Sequence, residues 1–204
     1  MNAYICQMID FPYDLVLLVG AGVFAGFINT MAGGGSLLTL PLLIFLGLPS
    51  ATANGTNRLA ILVATSSATL GFRSKKVNSF PFSLYLGGAA LMGALIGARI
   101  AIDIDGNLFN RILAIIMIVV VVLMVFKPKY NTIPTSAKTT GKTRIWSMVA
   151  FFFIGIYGGF INAGIGFIMM LFMNYVNRMD LIRVNATKVA VAFIYTTGAL
   201  VTFA

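Results

Sequence analysis

Long apolar runs, interrupted by short polar or glycine-rich stretches, set the pattern of this chain. Six units read from it. The first extends from about Asp14 to Leu48, too long for one simple span of about 20 residues. It is broken at Ala32–Ser36 and holds Pro41, which predicts a helix, a break, and a shorter half-helix or re-entrant segment. The second covers about Thr56 to Phe72, and Phe82–Ile102 and Leu108–Phe126 follow, each near the length of a membrane span. A polar segment with Pro128, Pro134 and several threonines, Lys127–Arg144, separates these from a fifth unit, Ile145–Val176. That unit is again long and again broken, at Ala163–Gly166, and a sixth starts near Asn185 and runs to the end. None of the runs alternates with the period of two that a membrane β-barrel requires.

The two broken units are copies. Ala25-Gly26-Phe27-Ile28-Asn29 returns as Gly159-Phe160-Ile161-Asn162, 133 positions on, and Asn54-Gly55-Thr56 returns as Asn185-Ala186-Thr187, 131 positions on. The drift of two has a visible source, because Thr30-Met31-Ala32-Gly33-Gly34-Gly35 is answered only by Ala163-Gly164-Ile165-Gly166. A hydrophobic chain with an internal repeat and a polar, glycine-rich break in each copy points to a transporter built from two related halves. The first half continues well beyond Thr56, whereas the offset places Ala204 opposite Arg73. The second repeat is therefore expected to be incomplete, lacking partners for Phe82–Ile102 and Leu108–Phe126, through truncation or because another subunit covers that face.

Composition agrees with a membrane protein: 59% of residues are hydrophobic and 9% charged, against about 25% charged in a soluble domain. The net charge of +9 reads as basic loops on the cytoplasmic side rather than as a nucleic-acid surface. Arg73, Lys75 and Lys76 form one cluster, and Lys127, Lys129, Lys138, Lys142 and Arg144 another. Asp103–Asn107 is acidic and is expected outside, as is the N-terminus, since residues 1–57 hold no Lys or Arg. Arg178 and Arg183 place the loop after the second broken unit inside, and the uncharged Pro49–Ala53 places its counterpart outside. The fold class that follows is an all-α polytopic membrane protein of two inverted repeats, each beginning with a broken or re-entrant helix. Its expected organisation is a first membrane repeat over 1–126, a cytoplasmic linker over 127–144, and an incomplete second repeat over 145–204. No basic stretch precedes the first apolar run, so no cleaved signal peptide is expected and that run stays as a helix. The expected location is the cytoplasmic (inner) cell membrane, crossed several times.

Most catalytic chemistry is removed by what the chain lacks. It has no His and no Glu, and Cys6 is its one cysteine. Ordinary zinc sites, Ser–His and Cys–His pairs and internal disulfides are excluded, so neither an enzyme nor a cofactor is expected. The acids Asp10, Asp14, Asp103, Asp105 and Asp180 fall at helix ends or loops, which leaves proton coupling without an obvious carrier.

The candidate site gathers at the breaks. Gly33, Gly34, Gly35 and Ser36 open a half-helix whose first N–H groups suit an anion, and Gly164 and Gly166 do the same in the second copy. Non-helical backbone at membrane depth survives only if it is buried in protein or lines a wet cavity. Asn29 and Asn162 precede the breaks, and line a substrate site or act as interhelical hydrogen-bonding groups. Asn54, Thr56 and Arg58, with Asn185, Thr187 and Lys188, sit at expected helix entrances. Asn or Thr there is an ordinary cap. The cation is at the wrong end for its own helix dipole, which favours either an anion site or snorkelling to the interface. Gly22-x-x-x-Gly26, Gly93-x-x-x-Gly97 and Gly155-x-x-x-Gly159 are packing stripes, and the repeat predicts that the broken helices pack by the same face.

These motifs resemble the TauE/SafE family, the sulfite-exporter and sulfonate-permease group. The resemblance rests on Gly26, Asn29, Gly33–Ser36, Pro41, Gly47 and Ala53-Asn54-Gly55-Thr56, then on Gly159, Asn162-Ala163-Gly164-Ile165-Gly166 and Ala186-Thr187. It implies seven or eight membrane helices and transport of a small sulfur-containing anion, such as sulfite, sulfoacetate or a related organosulfonate. The function expected is thus secondary transport of a small anion, by rocking of one half against the other. A non-transporting scaffold or assembly subunit and an anion channel are the alternatives. Expected partners are membrane lipid, the anion, and a second copy or a subunit supplying the missing helices, with no nucleic acid.

Overall fold

A computed structural model of the protein describes residues 13–77, 79–126 and 137–203. Residues 1–12, with Cys6 and Asp10, and residues 127–136 of the expected linker lie outside the described residues. Among the described residues all regular structure is helical: α1 Tyr13–Ala32, α2 Ser36–Phe45, α3 Ser50–Ser74, α4 Phe82–Asp103, α5 Gly106–Val125, α6 Gly141–Phe160, α7 Ile165–Tyr175 and α8 Leu181–Phe203. Helices α4, α5, α6 and α8 are long and apolar enough to cross a membrane. With Ile115, Ile118, Phe153 and Val201 among many large apolar side chains exposed, the chain is a multi-pass membrane protein whose outer surface suits lipid.

Both expected breaks are present, between α1 and α2 and between α6 and α7. Three helices begin earlier than the hydrophobic runs suggest. Helix α3 starts at Ser50, where Pro49 accepts from the Ala53 N–H at 2.8 Å. Helix α8 starts at Leu181, with Asp180 Oδ1 accepting from the Arg183 N–H at 3.2 Å, and α6 starts at Gly141. Polar residues can take the first turn of a helix, where N–H groups need caps more than apolar contacts. The shift matters, because it moves Asn54, Arg58, Asn185 and Lys188 from helix entrances to one or two turns inside.

Helix α4 is the spine, packed between α6 and α8. Lipid tails are as apolar as leucine, so such helices gain from close van der Waals approach rather than from leaving water. The residues permit that approach. A Cβ added at Gly93 would lie 2.0 Å from the Phe152 carbonyl oxygen, and one at Gly97 2.0 Å from that of Ile156. In return, Gly155 and Gly159 lie bare against the Ala90 and Ala94 carbonyls, at 2.2 and 2.1 Å from such an atom. Two small-residue stripes thus interlock backbone to backbone, and Ala90, Ala94, Ala98, Phe151 and Tyr195 form one buried cluster around them. A second cluster, with Leu40, Phe109, Leu113 and Ile161, lies under α2 and α5.

The stripe on α1 behaves differently from its copy on α6. Nothing lies within 4 Å of a Cβ built at Gly22 or Gly26. The expectation that both broken helices pack by the same face therefore does not hold among the described residues, because α4 packs directly on the α6 stripe, whereas the α1 stripe lines a cleft of about 490 Å³ that separates it from α3. The contrast sets a prediction. Leu at Gly155 or Gly159 forces two backbones apart and costs about 3 kcal/mol, whereas Leu at Gly22 or Gly26 changes stability by no more than about 0.5 kcal/mol. Unfolding of the detergent-purified variants by SDS titration measures both, and equal sensitivity of the two stripes would contradict this packing.

Candidate functional site

The two breaks meet. Gly33 of the first and Gly166 of the second touch through their backbones: a Cβ on Gly33 would fall 2.4 Å from the Gly166 Cα, and one on Gly166 2.4 Å from the Gly33 Cα. Gly33 has φ +75°, a left-handed value glycine adopts without cost, and its N–H closes α1 on the Ile28 and Asn29 carbonyls at 3.2 and 3.0 Å. In the second copy Asn162 (φ +64°) and Gly164 (φ +69°) carry the left-handed turns, and Asn tolerates that region better than most residues. The Tyr157 hydroxyl donates to the Ala163 carbonyl, and the Tyr195 hydroxyl donates to Asn162 Oδ1 at 2.7 Å. Each break thus places the carbonyl end of one helix beside the N–H end of the next, inside the protein.

The carbonyl ends are capped across the halves. Lys188 Nζ, on α8, donates to the Thr30 carbonyl at 2.8 Å and the Asn29 carbonyl at 3.3 Å, both in the last turn of α1. Arg58, on α3, donates to the Gly159 carbonyl, and Asn54 Nδ2 donates to the Phe160 carbonyl at 2.6 Å, both in the last turn of α6. A helix C-terminus carries about half a negative charge, so a cation belongs there. The two cations lie about two turns inside their own helices and at the carbonyl end of the opposite half's broken helix. Snorkelling does not describe them, since Arg58 is 0% and Lys188 3% exposed.

A cavity of about 20 Å³ lies between the breaks, enough for one water. Asn29, Ser36, Asn162, Gly166 and Lys188, five of the residues singled out from the sequence, line it. Asn162 Nδ2 is buried there and has no hydrogen-bond partner among the described residues. The acceptors of Lys188 are all neutral: two backbone carbonyls, Asn185 Oδ1 at 2.8 Å and, at 3.6 Å, the Met170 sulfur. No carboxylate lies among the described lining residues. The N-terminal ends of α2 and α7 open at the same place, so the cavity joins an ammonium, two helix N-termini and a spare amide donor. That set suits a small anion.

The other candidates lie around this cavity rather than in it. Gly33 abuts Gly166 in its wall, Gly35 packs under the Ala25 carbonyl, and Gly164 packs under Val120 of α5. Gly34 is buried in the first break. Asn54 and Arg58 brace α6, and Asn185 braces Lys188. Thr187 bonds back to the Arg183 carbonyl at 2.8 Å in its own helix, and Thr56 is exposed. Sequence reasoning passed over Thr65 and Tyr195, which also line the cavity. Helical spacing carries the signal for both: Arg58, Ile61 and Thr65 share one face of α3, and Lys188, Ala192 and Tyr195 one face of α8.

Removing a cross-cap strands buried carbonyls. Lys188→Met and Arg58→Met each destabilise the chain by about 3 kcal/mol, the scale of a charged hydrogen bond lost in the interior, while Thr56→Ala changes stability by less than about 0.5 kcal/mol. SDS unfolding of the purified variants checks the order, and a Met variant as stable as the parent would remove the capping role.

Known proteins resemble the chain along most of its length. It is 30% identical over 163 residues to a probable membrane transporter protein of Haemophilus influenzae, covering 79% of this chain and 63% of the relative. It is 29% identical over 157 residues to the probable membrane transporter protein ORF9 of a Sinorhizobium species, covering 77% and 59%. The probable membrane transporter protein YfcA of Escherichia coli K12 is 29% identical over 155 residues, covering 76% and 57%. The chain thus spans about three fifths of the length of these relatives. No solved structure matches it. Residues 18–204 match the family described as sulfite exporter TauE/SafE, and the chain belongs to that family.

Proposed function

We propose that this chain forms the anion-handling centre of a membrane transporter, and that its substrate is a small sulfur oxyanion such as sulfite or an organosulfonate. The observation that carries the reading is Lys188, a buried ammonium on the wall of the cavity where both breaks meet, surrounded by neutral groups. A positive charge inside a membrane helix is expensive and marks a substrate path by default. The family description and the relatives' names as transporters support the same class, and the description sulfite exporter suggests the sulfur anion.

In this reading the anion accepts from Asn162 Nδ2 and Ser36 and lies over the N–H ends of α2 and α7. Lys188 keeps its carbonyl partners and acts through its charge. A sulfur oxyanion has at least four heavy atoms, so the one-water cavity must widen to admit it. The touching pair Gly33 and Gly166 is where the two units part. A cavity this small suits a carrier that opens in turn to each side better than a standing channel, and the inverted arrangement read from loop charge would supply the two openings.

A ligand that binds only the folded state raises its stability by about 2.7 kcal/mol at a hundred times its dissociation constant. Thermal unfolding of the detergent-purified full chain with sulfite, sulfate, sulfoacetate, acetate and chloride reads this directly. Selective stabilisation by a sulfur oxyanion is expected. Asn162→Asp keeps the acceptor for Tyr195 and tolerates the left-handed turn, but places negative charge where the spare donor was. It is expected to fold and to lose the anion effect. Stabilisation by no anion, or an undiminished effect in the Asp variant, would sink the assignment.

A further inference from the structure

We propose that an anionic phospholipid occupies a lateral cleft between the end of α3, the start of α4 and α8, with its phosphate on Arg73 and Lys76. The cleft is separate from the central cavity and holds about 670 Å³. Its polarity runs in one direction. Arg73 lies in the last turn of α3, Lys76 just beyond it, and Leu70 about one turn inward. On α8 the cleft follows Ala186, Ala190 and Phe193, a descent of about 10 Å along the helix. Ala186 and Ala190 are buried and make a shallow floor, while Leu70 and Phe193 stand exposed as its sides. Cations at the helix ends above an apolar trough match a headgroup above an acyl chain, and basic pockets between membrane helices bind anionic headgroups.

Charge complementarity is open at this point. Among the described residues neither Arg73 nor Lys76 pairs with a carboxylate, and none lines the cleft. Lys76 carries a second sign. It has φ +57° and closes α3, with its N–H donating to the Arg73 carbonyl at 3.0 Å and the Val77 N–H donating to that of Phe72 at 3.1 Å. Glycine or asparagine usually fills this left-handed position, and a lysine there is strained. A residue kept against its backbone preference is a pointer to what its side chain does. Here the side chain is a cation at the mouth of a lipid-sized trough.

The test separates this role from folding. The full chain is purified in detergent and offered phosphatidylglycerol or phosphatidylcholine, and retained lipid is counted by native mass spectrometry. Phosphatidylglycerol is expected to be preferred, by about fivefold for each basic residue. Lys76→Gly relieves the backbone, so it should fold at least as well as the parent and still lose its share of the preference. Arg73→Gln should lose a similar share, and Ala190→Phe, which fills the trough, should lose retention of the lipid. Equal retention of the two lipids, or an unchanged preference in both Lys76→Gly and Arg73→Gln, would overturn the proposal. Competition by inorganic phosphate at equal concentration would overturn it too, since it would make the ligand a free anion.

Discussion

The structure depends on one constraint: backbone carbonyls that end inside a membrane must be satisfied there. Breaking a helix at mid-depth leaves up to four carbonyls at the end of the first piece without intrahelical donors, and lipid cannot supply any. This chain meets the demand with donors from the opposite half. Lys188 serves the end of α1, and Arg58 and Asn54 serve the end of α6. These four bonds account for several features that look unrelated along the sequence. They explain why two cations can be buried in apolar helices and why Asn54, Arg58 and Lys188 turn inward while Thr56, in the same run as Asn54 and Arg58, does not. They also hold the two breaks together, so that Gly33 and Gly166 can meet without side chains between them.

Much of this was legible beforehand, and the limits are instructive. The breaks were visible because clustered glycines are costly in a helix and a glycine-rich break stands between matched segments in each copy. The membrane character followed from the length of the apolar runs. The cations drew attention because they were expected at helix entrances, in conflict with their own helix dipoles, whereas both lie about two turns inside and their actual partners were out of reach. Their partners are distant along the chain, 101 positions for Arg58 and 158 for Lys188 with Thr30, and no local pattern encodes a contact of that range. The glycine stripes show the same limit. Gly22-x-x-x-Gly26 and Gly155-x-x-x-Gly159 are alike as sequence, and only the placement of α4 makes one of them a packed interface. Tyr195 was missed because an aromatic residue in an apolar run looks like filling, although a buried phenol must find a partner, here Asn162.

The cross-caps also separate two roles that the sequence merged. Among the candidate residues, Asn54, Arg58 and Asn185 hold other groups in place. Asn162, Ser36 and the wall at Gly166 face the cavity itself. Lys188 belongs to both sets, since its hydrogen bonds go to carbonyls and its charge remains in the cavity. Under the proposed function Lys188 would attract the anion by charge while its own hydrogen bonds stay on carbonyls, leaving Asn162 and Ser36 as the donors and the ligand loose enough to release.

The same bonds constrain how such a carrier can move. Rocking one sequence half against the other would pull Lys188 from α1 and Arg58 and Asn54 from α6, at about 1.5–3 kcal/mol for each charged bond left unmade. Keeping the bonds instead ties the end of α1 to α8 and the end of α6 to α3. Under the proposed function, the pieces that move together are then not the halves of the sequence. They are two crossed sets, each made of a long helix from one half and the broken-helix end it caps from the other. Between the sets lie the hydrogen bond from the Tyr195 hydroxyl to Asn162 Oδ1 and the bare backbone pair at Gly33 and Gly166. The glycine pair opens at the cost of dispersion contacts and the neutral Tyr195 bond at about 1 kcal/mol, less than a charged cross-cap, which under the proposed function puts the parting of the cycle at the centre of the site rather than at its ends.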